Sequence, residues 1–178
     1  MSYVLVFAPL IGFLLTICFG KLLGDRISQI LTSSLVLVST LISFFYFFKF
    51  ISNDTAIIND RIINWLSSGK LNFDWSIYID PLTSLMLVII TLISFLVHIY
   101  SIEYMSHDKS KPRFMAYLSF FTFAMIMLVT ADNFVQLFFG WEGVGLASYL
   151  LIGFWYHKNS ANQAAIKAFI VNRIGDFG

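Results

Sequence analysis

The sequence predicts an all-α fold, a polytopic membrane helix bundle, and three observations lead there. Of 178 residues, 58% are hydrophobic and only 12% charged, whereas an ordinary soluble domain carries about 45–50% apolar and about 25% charged residues. The apolar residues are gathered into runs near the roughly 20 residues that one helical crossing takes. Short polar segments between the runs hold most of the charge. The expectation is five complete transmembrane helices and the start of a sixth, with a structured extracytoplasmic loop between helices 2 and 3.

The first run, Tyr3 to Phe19, carries no charge before Lys21 and so lacks the positive start of a secretory signal. It reads as an uncleaved first span. After the polar turn GKLLGDR, a second run from Ile27 to about Phe48 is long enough to cross with some tilt. Hydropathy then falls over residues 51–80. Within that loop SSGK, flanked by INWL and LNFDWSIYI, has the turn residues and alternation of a β-hairpin. Trp65, Trp75 and Tyr78 suit either an interfacial aromatic belt or packing of the loop on neighbouring helices. Asn53-Asp54-Thr55 matches a glycosylation sequon, a pattern too short and common to carry weight.

Asp80-Pro81 opens the third span, with a carboxylate at the N-cap and Pro at the first helical position. That span runs from Leu82 to about Ile102. Pro112 restarts the chain into a fourth span, Phe114 to Thr130. The turn Ala131-Asp132-Asn133 is so short that spans four and five must be antiparallel neighbours. Span five extends from Phe134 to Tyr156. Residues 164–178 read as helix but fall short of a crossing, which leads to the expectation of the N-terminal part of a longer protein or one piece of a split one. Two regions are expected: 1–110, with helices 1–3 and the loop 51–80, and 111–178, with helices 4–6.

Lys and Arg in the connections set orientation. Lys21, Arg26, Lys109, Lys111, Arg113 and Lys158 lie in the first, third and fifth connections, against Arg61, Lys70 and Lys49 on the other side. The N-terminus is therefore expected outside. A net charge of +1, from 11 Lys and Arg against 10 Asp and Glu, provides no basic field for nucleic acid. The lone cysteine, Cys18, excludes an intrachain disulfide and a cysteine-based metal or iron–sulfur site. Any redox centre must belong to another chain.

Glu142, near the middle of span five, is the first candidate for chemistry, because an ionisable group at the centre of a membrane helix costs at least about 2.5–3.5 kcal/mol. Burial favours its neutral acid and a nearby cation favours its carboxylate. A cation that approaches and withdraws would make Glu142 a proton-binding switch. Gly143 and Ala147 beside it have the small-xxx-small spacing that admits another helix. The alternative is a static buried pair that only fixes packing. On the sixth helix Arg173 and Asp176, at i and i+3, can pair on one face, as relay members or as a structural ion pair. Lys167 lies on the face opposite Asp176 and could snorkel to the interface. His98, near the end of span three, is a weaker candidate with a proton affinity suited to transfer near neutral pH. No His-x-x-x-His or Ser/His/Asp arrangement accompanies it, so metal and hydrolytic chemistry find no support. GWEGVG is neither G-x-G-x-x-G nor a P-loop.

The run ADNFVQLFFGWEGVGLASYLLIGFWY, followed by AAIKAFIVNRIGDFG, closely resembles the chain 5/subunit L family of NADH:quinone oxidoreductase, respiratory complex I. DPLTSLM and SFLVHIYSIEYM also look like that family's third helix. The resemblance implies a proton-translocating, antiporter-like membrane subunit with no cofactor of its own. NADH, FMN, iron–sulfur clusters and quinone would then sit in other subunits, and a neighbouring antiporter-like chain and the lipid bilayer would be its partners. It implies that Glu142 is the key carboxylate of a proton channel, that Arg173 and Asp176 match the family's Arg and Asp motif, and that Lys167 matches its AAIKAF lysine. A further lysine, partner of Glu142, would lie beyond Gly178. The membrane would be the bacterial or mitochondrial inner membrane, with the N-terminus on the periplasmic or intermembrane side. Two alternatives remain: the large subunit of a multisubunit sodium/proton antiporter, and a non-catalytic membrane scaffold.

Overall fold

The structure, a computed structural model, describes residues 1–52, 57–68 and 71–176. It is mostly helical, with a small antiparallel two-stranded sheet. In chain order come α1 (Ser2–Ile51), β1 (Ile58–Ser68), β2 (Leu71–Ile79), α2 (Pro81–Tyr104), α3 (Lys111–Val129), α4 (Phe134–Ile152) and α5 (Asn159–Asp176). Among the described residues, α1 to α4 are long and apolar enough to cross a membrane. Their outward faces carry large apolar side chains such as Ile30, Leu41, Ile93 and Phe138, as lipid contact requires.

The expectation of five separate spans needs correction at the start of the chain. The first two spans form one helical run, interrupted at Gly24, where φ is 76° and ψ is 171°. Only glycine takes such a conformation without a steric cost. The run folds back there. Ser39 Oγ, in the second arm, donates to the Leu5 carbonyl in the first at 2.9 Å. That carbonyl is the acceptor Pro9 leaves without its helical donor, since Pro lacks an N–H. A hydroxyl from the other arm thus fills a gap that would be costly in lipid.

Other corrections concern helix ends. Span five stops at Ile152 rather than Tyr156, and Phe154 turns inward to 3% exposure. The last helix starts at Asn159, five residues before the expected Ala164. Its first turn is polar, so no apolar run announces it. Asp80 caps α2 as the sequence indicates, accepting from Thr83 N at 2.6 Å, and Asn133 caps α4 by accepting from Gln136 N at 2.9 Å.

The antiparallel pairing of β1 and β2 brings Ile58 opposite Ile79 and Asn59 opposite Tyr78, with shifts in register between Arg61 and Ile63 and between Asn64 and Leu66. Residues 69–70 of the expected turn lie outside the described residues, as does the Asn53-Asp54-Thr55 sequon. The hairpin closes one end of the bundle. Ile77 and Ile79 are fully buried with Leu5, Val6, Tyr46, Leu87, Ile126 and Met127. Trp75 stands edge-on to Phe139 of α4 with ring centres 4.8 Å apart, and Trp65 packs against Trp75. These two rings therefore pack the loop on a helix. Gln136 of α4, 1% exposed, binds the β2 backbone twice: Ser76 N donates to Oε1 at 3.1 Å and Nε2 donates to Ser76 O at 2.7 Å.

At the opposite end, Lys111 pairs with Asp25 at 3.4 Å and Trp155 donates to Asp108 at 3.0 Å. The Gly24 turn and the connections after α2 and α4 thus share one end of the bundle, where most of the Lys and Arg side chains lie. The N-terminus shares the other with the hairpin, through contacts of Ser2 with Asp60 and of Tyr3 with the Arg61 carbonyl.

Candidate functional site

Helix α4 can approach α3 closely because it presents glycine to it. A Cβ on Gly140 would stand 2.7 Å from the backbone of Leu128, and one on Gly143 would stand 3.2 Å from Ala124 Cβ. Without a hydrophobic drive between helices in lipid, such close backbone approach is what holds them together. One turn of this seam also carries Glu142. Behind α4 lies a cavity of about 310 Å³, walled by Phe120, Ala124 and Met127 of α3, Phe139 and Leu146 of α4 and Phe169 of α5. Two charged side chains, Glu142 and Arg173, reach into this apolar space. It is roomy enough for several water molecules.

Arg173 of α5 forms an ion pair with Glu142 Oε1. The carboxylate is the more buried partner, with 21% of its side chain exposed against 42% for the guanidinium. The guanidinium also lies over the Phe169 ring, 5.1 Å from its centre. The expected pair within α5 does not form. Asp176 Oδ1 instead accepts from Trp141 Nε1 at 2.6 Å. Two neighbours on α4, Trp141 and Glu142, therefore hold two residues one turn apart on α5, Asp176 and Arg173. Two cross-helix bonds replace the i,i+3 pair, because α5 lies directly against α4 and offers each charge a partner there.

Lys167 is exposed and pairs with no carboxylate among the described residues. It lies six residues before Arg173, about 9 Å along the helix. His98 is fully buried, away from this site. Its Nδ1 lies 2.8 Å from the Ser94 carbonyl and its Nε2 3.2 Å from Ser119 Oγ. A carbonyl can only accept, so Nδ1 carries a proton. Beside it Ser94 Oγ meets Thr122 Oγ1, which donates to the Leu118 carbonyl. None of these partners lines the cavity beside Glu142.

One member of this neighbourhood, Trp141, is not singled out by the sequence, where it is one apolar residue among many, although its place next to Glu142 is a usable signal. Away from this site, at the end rich in Lys and Arg, the Arg113 guanidinium lies 4.8 Å from the Phe154 ring centre and donates to the Phe154 carbonyl at 3.3 Å, tying α3 to the segment after α4. Among the described residues no three His, Cys, Asp or Glu side chains converge as metal ligands.

The chain is similar to known proteins over its whole length. Residues 65–115 match the family described as the N-terminus of chain 5 of NADH-ubiquinone oxidoreductase (complex I). Residues 131–178, which hold Glu142 and Arg173, match the transmembrane family shared by NADH:quinone oxidoreductase and Mrp antiporters. Similar proteins include NADH-ubiquinone oxidoreductase chain 5 of Chondrus crispus, 52% identical over all of this chain and 27% of the relative. NADH-quinone oxidoreductase subunit L of Rhodobacter capsulatus is 49% identical over all of this chain and 26% of its own length. The Arabidopsis thaliana chain 5 is 51% identical, again over all of this chain and 26% of the relative. The chain thus spans about a quarter of the length of the curated relatives it matches. By these matches over its whole length, the chain is similar to the chain 5/subunit L family of NADH:quinone oxidoreductase, complex I.

Proposed function

We propose that this chain forms part of the proton-translocating membrane subunit of NADH:quinone oxidoreductase, and that Glu142 binds and releases a proton as its pairing with Arg173 changes. The observation that carries the reading is the Glu142–Arg173 ion pair at the wall of an apolar cavity. With the guanidinium in place the carboxylate is favoured; with it withdrawn the low dielectric favours the neutral acid. A proton then enters or leaves with each change of partner. Arg173 and Asp176 are the nearest candidates to pass the charge shift on, and Lys167 lies further along the same helix. Electron transfer from NADH to quinone, with FMN and iron–sulfur clusters, is assigned to other subunits, and neighbouring membrane subunits are the partners. The end of the bundle rich in Lys and Arg faces the cytoplasm or matrix, which puts the N-terminus and the hairpin on the periplasmic or intermembrane side.

The test is Glu142→Gln in the full-length protein within the assembled complex, with proton pumping measured alongside NADH oxidation and subunit content. Pumping should fall several-fold while assembly is kept. Wild-type pumping at normal subunit occupancy would sink the assignment. The scaffold alternative makes the opposite forecast, intact pumping in Glu142→Gln and lost assembly in Glu142→Leu. The names of the relatives favour the complex I subunit over the sodium/proton antiporter.

A further inference from the structure

We propose that Trp141 is a positioning residue that selects the partner of Arg173: its indole N–H holds the Asp176 carboxylate on α4 and so leaves the guanidinium to Glu142. The inference rests on the reading of Glu142 as a proton-binding group, and it concerns what keeps its cation partner in place.

Arg173 has two carboxylates within reach. Asp176 is three residues further on the same helix, at a spacing that brings side chains together without any help from tertiary structure. Glu142 belongs to a different helix. Left alone, the local pair would compete with the cross-helix pair for one guanidinium. In the structure the competition is decided for Glu142, and the hydrogen bond from Trp141 Nε1 to Asp176 Oδ1, at 2.6 Å, is the contact that occupies the competitor.

The geometry is economical because Trp141 and Glu142 are consecutive on α4, as donor and acceptor, and their partners Asp176 and Arg173 are one turn apart on α5. Indole nitrogen can only donate, so Trp141 binds the carboxylate and has no attraction for the guanidinium. A hydrogen bond to an ionised acceptor is among the stronger ones. Among the described residues no other charged side chain faces the group: the α3 wall contributes Phe120, Phe123, Ala124 and Met127, and α5 adds Phe169 and Asn172. Arg173 thus chooses between two carboxylates, and Trp141 touches one of them.

The test reads the protonation of Glu142 by infrared spectroscopy in the assembled complex at neutral pH, with the protonated-carboxyl band assigned by its loss when Glu142→Gln is added to Trp141→Phe. Trp141→Phe keeps an aromatic ring but removes the N–H. The band, absent in the wild type, should appear in Trp141→Phe, because Asp176 then captures Arg173 and leaves Glu142 to take a proton. It should disappear again in Trp141→Phe combined with Asp176→Asn, where the competitor is gone, and stay absent in Asp176→Asn alone. A Trp141→Phe spectrum like the wild type, a band that persists in the double variant, or a band in Asp176→Asn would each overturn the proposal. A merely structural tryptophan predicts no rescue by the second change. The readout does not depend on pumping, so normal pumping in Glu142→Gln would defeat the functional reading while leaving this result interpretable.

Discussion

Two regions of the bundle handle polarity in opposite ways. In α1, α2 and α3 the buried polar groups are hydroxyls with one amide, Gln29, and one imidazole, His98, and several of the hydroxyls end on backbone carbonyls, whereas Thr16, Ser28 and Ser33 have no hydrogen-bond partner. Thr40 donates to Val36 O at 2.9 Å and lies 3.1 Å from Thr91 O, Thr91 donates to Leu87 O at 2.7 Å, and Ser43 donates to Ser39 O at 2.9 Å. These are closed circuits, since a carbonyl accepts a proton's hydrogen bond but does not pass the proton on. In α4 and α5 few of the residues are buried, the amide of Gln136 is fixed on the hairpin, and an ion pair borders a cavity. The first region uses polarity to hold helices in place. The second keeps charged side chains paired across helices beside a cavity, and such groups in a membrane helix point to function.

The seam between the regions offers the largest effect. Gly140→Ala places a methyl group 2.7 Å from the Leu128 backbone, which cannot move aside as a side chain can. The helices must separate, and overpacking of this kind costs about 1–3 kcal/mol. Gly143→Ala meets only a side-chain methyl at 3.2 Å and should cost less. Gly145→Ala meets nothing within 4 Å and should be neutral or stabilising, by up to about 1 kcal/mol, through helix propensity. Thermal stability of the assembled complex and the amount of subunit in the membrane would rank the three. Equal losses at all three positions would break the comparison, because the seam would then not be the point at which the two regions meet.

A middle-sized effect separates the closed circuits from the open one. His98→Leu removes the partner of Ser119 and the second bond to Ser94, at a cost of about 1 kcal/mol, as hydrogen bonds between membrane helices typically contribute. His98→Gln, which can both donate and accept, should recover much of that stability and keep proton pumping. Loss of pumping in a stable His98→Gln complex would move His98 from the static region into the proton path.

The sequence made the charged region more legible than the hydroxylated one, for a physical reason. Glu142 stands out against hydrocarbon, and so does Arg173. Ser39, Thr40 and Thr91 do not, because a hydroxyl that bonds back along its own helix is tolerated in any apolar run. Their contacts between helices depend on which faces meet. The hairpin was visible from SSGK and the alternation around it, yet the burial of Ile77 and Ile79 under the end of the bundle was not. Gly24 was read as part of a turn between two helices, whereas one glycine at φ 76° is enough to reverse the run. The partners of Arg173 and Asp176 differ from the i,i+3 pair that their spacing allows, because spacing along one helix is readable in a sequence and the register between two helices is not.

The smallest effect lies outside the membrane, at the bundle end rich in Lys and Arg. Asp108 accepts from Trp155 Nε1 at 3.0 Å and from Ser110 N at 2.7 Å, and these bonds, with Arg113 and Lys111 nearby, hold its carboxyl below the ordinary value of 3.8. A carboxylate whose proton affinity is lowered by folding stabilises the fold above its ordinary value, and that contribution disappears as pH falls through the lowered one. The Trp155 link between the α2–α3 connection and the end of α4 should therefore be intact at pH 7 and weaken only below about pH 4. Because the group is half-buried at the surface of the bundle end, solvent screening limits Asp108→Asn to about 0.5 kcal/mol or less at pH 7. The same substitution should have no effect on stability in strong acid. Melting curves of the wild type and the variant should converge as pH is lowered. A gap that stays constant with pH would show that shape rather than charge holds this corner, and the distinction between exchangeable and fixed charges would then be confined to the Glu142 cavity.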